Sequence, residues 1–81
     1  MLMKILLIED DLQIGEIITD SFEARSEGNA KVHTVSNGMD GLQEALENEY
    51  DLILLDVMLP GLDGFSIMRS LRKQKDVPVI F

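Results

Sequence analysis

The sequence predicts an open, doubly wound α/β fold built on a parallel sheet. Two uninterrupted apolar tetrads, at residues 5–8 and 52–55, are typical of strands that are buried on both faces of such a sheet. Between and after the tetrads, apolar residues recur at intervals of three and four, which is the helical period. Because strands alternate with helices, we expect right-handed crossovers, parallel pairing and the element order β-α-β-α-β-α-β.

The first half of the chain contains a strand, a helix and a second strand. The tetrad at 5–8 is the first strand. The apolar face of the first helix carries Ile14, Ile17, Ile18 and Phe22. Glu27-Gly28-Asn29 supplies a stop signal for this helix. The run from Val32 to Val35 is rich in β-branched residues and predicts the second strand, which Ser36-Asn37-Gly38 closes.

The second half repeats this alternation twice. The second helix carries Leu42, Ala45, Leu46 and Tyr50, and the tetrad at 52–55 follows it as the third strand. The apolar residues of the third helix are Phe65, Ile67, Met68 and Leu71, and Asp63 is its expected N-cap. Val77 to Phe81 predicts a fourth strand, with Pro78 near its start, where a missing N–H is tolerated.

Composition limits the classes of function. The chain has 81 residues, enough for one domain, and its 15 acidic and 7 basic residues give a net charge of −8. This balance disfavours nucleic acid and anionic membranes as partners. The absence of cysteine excludes disulfides, a thiolate nucleophile and Cys-based metal sites. The longest apolar run is too short for a signal peptide or a membrane span, so we expect a cytoplasmic domain.

Acidic residues follow the two apolar tetrads. Glu9, Asp10 and Asp11 come directly after the first strand, and Asp56 follows the third. In open parallel sheets, ligands bind outside the carboxyl ends of the strands, where these side chains should converge. Carboxylates this close resist ionising together unless a hard cation neutralises them, and Mg²⁺ fits best. Asp11 taken alone is better explained as the N-cap of the first helix.

The segment after Asp56 is a turn-rich loop that leads into a helix, with Pro60 and Gly61 fixing a tight path. A carboxylate at a strand tip beside Mg²⁺ is a candidate nucleophile toward a phosphoryl group, because the metal offsets the repulsion between anions. Positioning and charge neutralisation are most of what phosphoryl transfer requires. The sequence therefore favours Asp56 as a phosphoacceptor.

Three segments resemble the receiver domain of bacterial two-component response regulators, and most closely the winged-helix transcriptional class. They are MKILLIEDD at residues 3–11, DLILLDVMLPG at 51–61 and VPVIF at 77–81. The resemblance extends over the whole chain. It implies a flavodoxin-like sheet with the strand order 2-1-3-4.

The resemblance also implies a role for individual residues. Asp56 would be the phosphoacceptor and Asp10 a direct Mg²⁺ ligand. Glu9 would bind the ion through water, and Met58 would offer its backbone carbonyl. Pro60 and Gly64 would shape the loop. A histidine kinase would be the phosphoryl donor, with the first helix as part of its docking surface.

Receivers of this family have five strands and five helices. A Thr or Ser ends their fourth strand, the fifth strand carries an aromatic residue, and a Lys lies at its tip. We therefore expect residues 1–81 to form a single partial receiver domain without the last strand and the last two helices, which would accept phosphate poorly. Such a domain is not an enzyme beyond its own phosphorylation and dephosphorylation. With no DNA-binding domain following, we expect no direct contact with nucleic acid.

A bare fourth strand from Val77 to Phe81 also predicts self-association, through strand pairing or exchange of elements, or completion by a partner chain. One alternative is accordingly a non-signalling structural fragment that another chain completes. A second is a Mg²⁺-dependent phosphohydrolase of the haloacid dehalogenase type, which needs a second Asp where this chain has Met58. Dinucleotide binding is excluded, since acids replace the Gly-rich turn after the first strand.

Overall fold

The predicted order of elements is confirmed in a computed structural model, which describes residues 2–59 and 62–81. In these residues, four strands alternate with three helices. The strands are β1 (Met3–Ile8), β2 (Ala30–Val35), β3 (Leu52–Leu55) and β4 (Val79–Ile80). The helices are α1 (Leu12–Arg25), α2 (Gly38–Glu47) and α3 (Gly64–Arg72). Within the described residues, no helix has the length and apolar character needed to cross a membrane.

The four strands form one parallel sheet in the order β2-β1-β3-β4, which confirms the predicted class and strand order. β1 and β3 are neighbours in the centre of the sheet. At their carboxyl ends, Ile8 pairs with Val35 on one side and with Leu55 on the other. The residues that follow β1 and β3 therefore leave the sheet side by side.

One face of the sheet is covered by α2 and α3. The buried residues on this side are Leu6, Ile8, Ala45, Ile53, Leu55, Leu59, Ile67 and Leu71. Gly41 lets α2 approach β1 closely, because a Cβ at this position would lie only 2.6 Å from the side chain of Ile8. The core cluster on this side is the larger of the two that the described residues form.

The opposite face carries a smaller cluster beneath α1. Its buried residues are Ile5, Leu7, Ala30 and Val32, and Ile18, Leu52 and Leu54 pack against them while only partly buried. Residues 5–8 thus alternate between two covered faces, which explains why the tetrad shows no polar alternation. The predicted apolar face of α1 is wrong in part, since Ile14 and Ile17 are 45% and 66% exposed. α1 leans toward β2 and leaves the β3 and β4 part of this face less covered.

The stop predicted for α1 is confirmed, whereas β2 begins at Ala30, two residues earlier than predicted, and Tyr50 lies beyond the end of α2 at Glu47. α1 ends at Arg25, just before the predicted stop, and the chain then passes through the left-handed region at Glu27 and Gly28, with φ of 54° and 86°. β4 is limited to Val79–Ile80. Just before this strand, the Arg72 guanidinium donates a 2.6 Å hydrogen bond to the backbone carbonyl of Val77.

Candidate functional site

The carboxylates of Glu9, Asp10 and Asp56 meet at the carboxyl end of the two central strands. One carboxylate oxygen from each lies within 4.8 Å of the others. The sheet ladder continues one residue past each strand: the Glu9 N–H donates to the carbonyl of Val35 at 3.0 Å, and the Asp56 N–H donates to that of Ile8 at 3.1 Å. The regular sheet backbone therefore fixes where these two side chains start.

The Glu9 carboxylate accepts a hydrogen bond from the backbone and lies close to two other negative charges. The N–H of Asp11 donates to Glu9 Oε1 at 3.1 Å. Partial burial raises the pKa of Glu9, and the negative charges of Asp56 and Asp10 raise it further, although the Asp11 hydrogen bond acts in the opposite direction. A cation bound here would relieve the repulsion among the three carboxylates.

Asp56 is half-buried and its carboxylate is oriented by the loop that follows. The N–H of Met58 donates to Asp56 Oδ1 at 3.0 Å. The side chain of Met58 points into solvent and is 82% exposed. That the backbone carbonyl of Met58 binds a metal ion stays a prediction. Pro60 and Gly61, which the sequence places in the same loop, lie outside the described residues.

Gly64 allows the start of α3 to lie directly against the end of β3. A Cβ at Gly64 would lie 2.7 Å from the Asp56 carbonyl oxygen and 3.0 Å from the Val57 Cα, both backbone atoms that cannot swing away. The Gly64 N–H also donates to the Val57 carbonyl at 3.1 Å. The position that the family resemblance gives a loop-shaping role is therefore one where only glycine fits without moving the backbone beside Asp56.

The two predicted helix caps are confirmed. Asp11 Oδ1 accepts from the N–H groups of Gln13 and Ile14 at 2.9 and 3.2 Å, so this carboxylate serves α1 rather than the cluster. Asp63 Oδ1 accepts from the Ser66 N–H at 2.9 Å and caps α3. The hydrogen bonds that Ser66 donates from its backbone and its hydroxyl lower the pKa of Asp63.

The donor set suits a hard cation. Three carboxylates can each give an oxygen to one ion, and they leave the remaining half of an octahedral coordination sphere free for water, an arrangement that Mg²⁺ accepts. The sequence predicted all three carboxylates but not the orienting N–H donors of Asp11 and Met58, because such contacts depend on loop dihedral angles.

A groove of about 360 Å³ lies beside the site and was not predicted from the sequence. The groove lies between α1 and the β3–β4 part of the sheet, and its lining includes Ile18, Phe22, Leu54, Ile80 and Phe81.

The strand order and the carboxylate cluster define a doubly wound α/β domain with an acidic site at the edge of its sheet. The model of the response regulator receiver domain family matches residues 5–81. The chain therefore belongs to the response regulator receiver domain family.

A curated relative agrees with the predicted transcriptional class. The transcriptional regulatory protein HprR of Escherichia coli strain K12 is 49% identical over 78 residues, which cover 96% of this chain and 34% of HprR. The chain thus spans about a third of the length of the curated relatives it matches.

Solved structures agree as well. The receiver domain of the Francisella response regulator 1452 superimposes with a TM-score of 0.84 at 36% identity, covering 94% of this chain and 61% of that chain. The response regulator TrrA from Thermotoga maritima, in complex with Mg²⁺-BeF, gives a TM-score of 0.86 at 31% identity, covering 99% of this chain and 68% of that chain. A second TrrA structure, which superimposes with a TM-score of 0.82, is a complex with the histidine kinase ThkA.

Proposed function

We propose that this chain acts in a two-component phosphorelay and accepts a phosphoryl group on Asp56 from a histidine kinase. The observation that carries the proposal is the convergence of three carboxylate oxygens within 4.8 Å at the tips of β1 and β3. A carboxylate that faces other carboxylates is a poor place to receive a dianionic group unless a cation neutralises the site. Asp10, Glu9 and Asp56, with the backbone carbonyl of Met58, would hold Mg²⁺.

The chain's own residues prepare the transfer. The Met58 N–H orients the Asp56 carboxylate through Oδ1. A carboxylate oxygen of Asp56 forms the new bond to phosphorus, while the bond from phosphorus to the imidazole nitrogen of the kinase's phosphohistidine breaks and its electron pair leaves with that nitrogen. When bound, Mg²⁺ supplies charge neutralisation between the phosphoryl oxygens and the carboxylates. Gly64 keeps the backbone of Asp56 in place.

The relatives support this proposal by similarity. TrrA has been captured both with Mg²⁺-BeF and with the histidine kinase ThkA, and this chain is 31% and 30% identical to it in those two structures. Because the chain spans about a third of HprR, the output of the whole protein is likewise a proposal. Receiver domains are signalling modules, and we propose that any catalysis here is limited to the phosphorylation and dephosphorylation of Asp56 itself.

Intact mass spectrometry tests the phosphoacceptor. The chain is treated with Mg²⁺ and a small-molecule phosphoryl donor such as acetyl phosphate, and we expect the mass of one phosphoryl group to be added. Asp56→Asn should abolish the addition, whereas Asp20→Asn, on the exposed surface of α1, should leave it unchanged. Phosphate on the Asp56→Asn chain, or uptake that persists in excess chelator, would contradict the proposal.

A second proposal concerns association. β4 is an edge of the sheet, and Ile80 and Phe81 are 54% and 50% exposed beside the groove. We propose that this side of the sheet is completed by a second copy or by another chain.

That residues 1–81 form a single partial receiver domain stays a prediction. The phosphohydrolase alternative gains no support, because the solvent-exposed Met58 offers no carboxylate for acid–base work.

A further inference from the structure

The first turn of α2 lies very close to the segment that leads into α3. A Cβ at Gly38 would lie 2.6 Å from the Leu62 carbonyl oxygen and 3.0 Å from Ile67 Cδ1. The carbonyl oxygen is a backbone atom, so it cannot move aside without moving the chain. Gly38 does not adopt the left-handed conformation, and its own backbone therefore does not require glycine. What requires glycine at this position is the close approach of Leu62.

The start of α3 lies between α2 and the end of β3. On one side Leu62 contacts the first turn of α2 at Gly38. On the other side, two residues further on, Gly64 lies against backbone atoms of Asp56 and Val57, and its N–H donates to the Val57 carbonyl at 3.1 Å. A displacement of the Leu62 carbonyl is therefore passed across a single residue to the backbone at the end of β3.

Val57 connects this contact to the carboxylate of the proposed phosphoacceptor. Met58 follows Val57 directly, and its N–H donates to Asp56 Oδ1 at 3.0 Å. The other orienting donor of the cluster, the Asp11 N–H on Glu9 Oε1, comes from the segment between β1 and α1. The first turn of α2 is thus linked to one of the two orienting hydrogen bonds through the start of α3.

From these contacts we infer that Gly38 is a positioning residue for phosphoryl transfer at Asp56. The missing side chain at the start of α2 lets Leu62 and Gly64 lie where the Met58 N–H holds Asp56 Oδ1. The inference rests on the proposed phosphoacceptor role of Asp56 and adds a residue from an element outside the acidic cluster.

The expected displacement is large enough to matter for chemistry. A Cβ at Gly38 must widen a contact of 2.6 Å toward the 3.4 Å at which ordinary contact begins. Because α2 is packed against β1 through Gly41 and carries the buried Ala45, we expect Leu62 to move rather than the helix. A misplacement of about 1 Å at a reacting group can slow a reaction by about 100-fold.

NMR spectroscopy and intact mass spectrometry of the 81-residue chain test the inference, with Gly38→Ala and Ala45→Gly as a matched pair. Each variant changes one methyl group on α2, and Ala45 is 2% exposed near the far end of the helix. In Gly38→Ala we expect the Met58 amide proton to shift as its hydrogen bond lengthens, while the Asp11 amide proton keeps its position. At saturating Mg²⁺ and acetyl phosphate, phosphoryl uptake should slow by about tenfold or more. Ala45→Gly should change neither the two amide protons nor the rate.

Circular dichroism confirms that each variant is folded. If Gly38→Ala is not, Leu62→Ala takes its place, because it loosens the packing of the same segment on the core and should act in the same direction. A Met58 amide that stays in place, or that shifts equally in Ala45→Gly, overturns the inference. So does a shifted amide with an unchanged rate of uptake. Uptake that is absent from the parent chain, or that persists in Asp56→Asn, overturns the proposed function and the inference together, whereas uptake that only Gly38→Ala fails to slow overturns the inference alone.

Discussion

Asp10 and Asp11 are adjacent in the sequence, yet the structure separates their tasks. Asp10 lies in the cluster with Glu9 and Asp56, whereas both hydrogen bonds that Asp11 Oδ1 accepts come from the first turn of α1. A cap and a candidate ligand should respond differently to the loss of a charge. An amide in place of the Asp11 carboxylate can still accept those hydrogen bonds, but it is a much weaker ligand for a hard cation.

We therefore expect Asp10→Asn to weaken Mg²⁺ binding by about tenfold or more, since even groups that only orient a ligand cost 10- to 100-fold when lost. Asp11→Asn should change the affinity much less. Isothermal titration calorimetry of the two variants and the parent chain measures the difference. Equal losses at the two positions would show that Asp10 is not a ligand.

Gly64 and Gly15 form a matched pair of helical glycines. A Cβ at Gly64 meets backbone atoms of Asp56 and Val57, whereas one at Gly15 lies 3.4 Å from the Thr34 Cγ2, which is ordinary contact. We expect Gly64→Ala to lower the free energy of unfolding by about 1–3 kcal/mol because the backbone must shift. Gly15→Ala should leave it unchanged or raise it by up to about 1 kcal/mol through helix propensity. Urea denaturation compares them, and equal effects would refute the close approach of α3 to Asp56.

The site was predictable from the sequence to the extent that it depends on the sheet. Glu9, Asp10 and Asp56 follow uninterrupted apolar tetrads, and parallel strands bring such residues to one edge whatever the loops do. The N–H groups of Asp11 and Met58 that orient the carboxylates were not predictable, because they depend on the dihedral angles of two or three loop residues. No residue type or spacing in those loops specifies them.

At the scale of elements, the predicted apolar residues of α2 and α3 pack more fully than those of α1, although Phe65 in α3 is 48% exposed and Tyr50 lies beyond α2. Ile67 and Leu71 are fully buried and one helical turn apart, as the spacing predicts. Ile14 and Ile17 have equally good spacing and remain exposed. Periodicity indicates which side of a helix is apolar, but it does not tell how far the helix lies from the sheet. Here the small residue Gly15 and the contact of Thr19 with Thr34 bring α1 toward β2.

This difference predicts unequal costs for the same substitution. Ile67→Ala removes a completely buried side chain between α3 and the sheet and should destabilise the fold by about 2–5 kcal/mol. Ile17→Ala removes one that is 66% exposed and should change the stability by no more than about 0.5 kcal/mol. Denaturation by urea measures both. A cost at Ile17 that matches the cost at Ile67 would mean that α1 is covered in solution.

The capping role of Asp63 leads to a prediction of how acid affects α3. The pKa of its carboxyl lies below the ordinary value of 3.8 in the folded chain, because the charged form accepts hydrogen bonds from Ser66. The stabilisation is therefore fully present above pH 3.8 and is lost as the pH falls through the lower folded-state value. Asp63→Asn keeps an acceptor without this titration, so its thermal midpoint should decline less between about pH 4 and pH 2. Parallel declines in the two chains would show that the cap does not titrate in this way.

For the whole molecule, the position of α1 has two opposite consequences. By leaning over β2, the helix brings Glu23 to the outward N–H of Val32 and closes that edge of the sheet. The same displacement opens the groove over β3 and β4, where Phe22, Leu54 and Ile80 remain in reach of solvent. One end of this groove is lined by Glu9 and Asp56. A chain that covered the groove would therefore also approach Asp56, the proposed phosphoacceptor.

The same cluster should make the stability of the entire chain depend on Mg²⁺. Only the folded chain brings the three carboxylates together, so bound Mg²⁺ stabilises it by about 1.4 kcal/mol when the ion is at ten times its dissociation constant. Asp10→Asn should raise the thermal midpoint in the absence of Mg²⁺, because it removes repulsion, and should flatten the response when Mg²⁺ is added. Sodium chloride at matched ionic strength is the control for screening of the net charge of −8. If sodium chloride raised the midpoint as much as Mg²⁺ does, the effect would come from screening and not from a site at Glu9, Asp10 and Asp56.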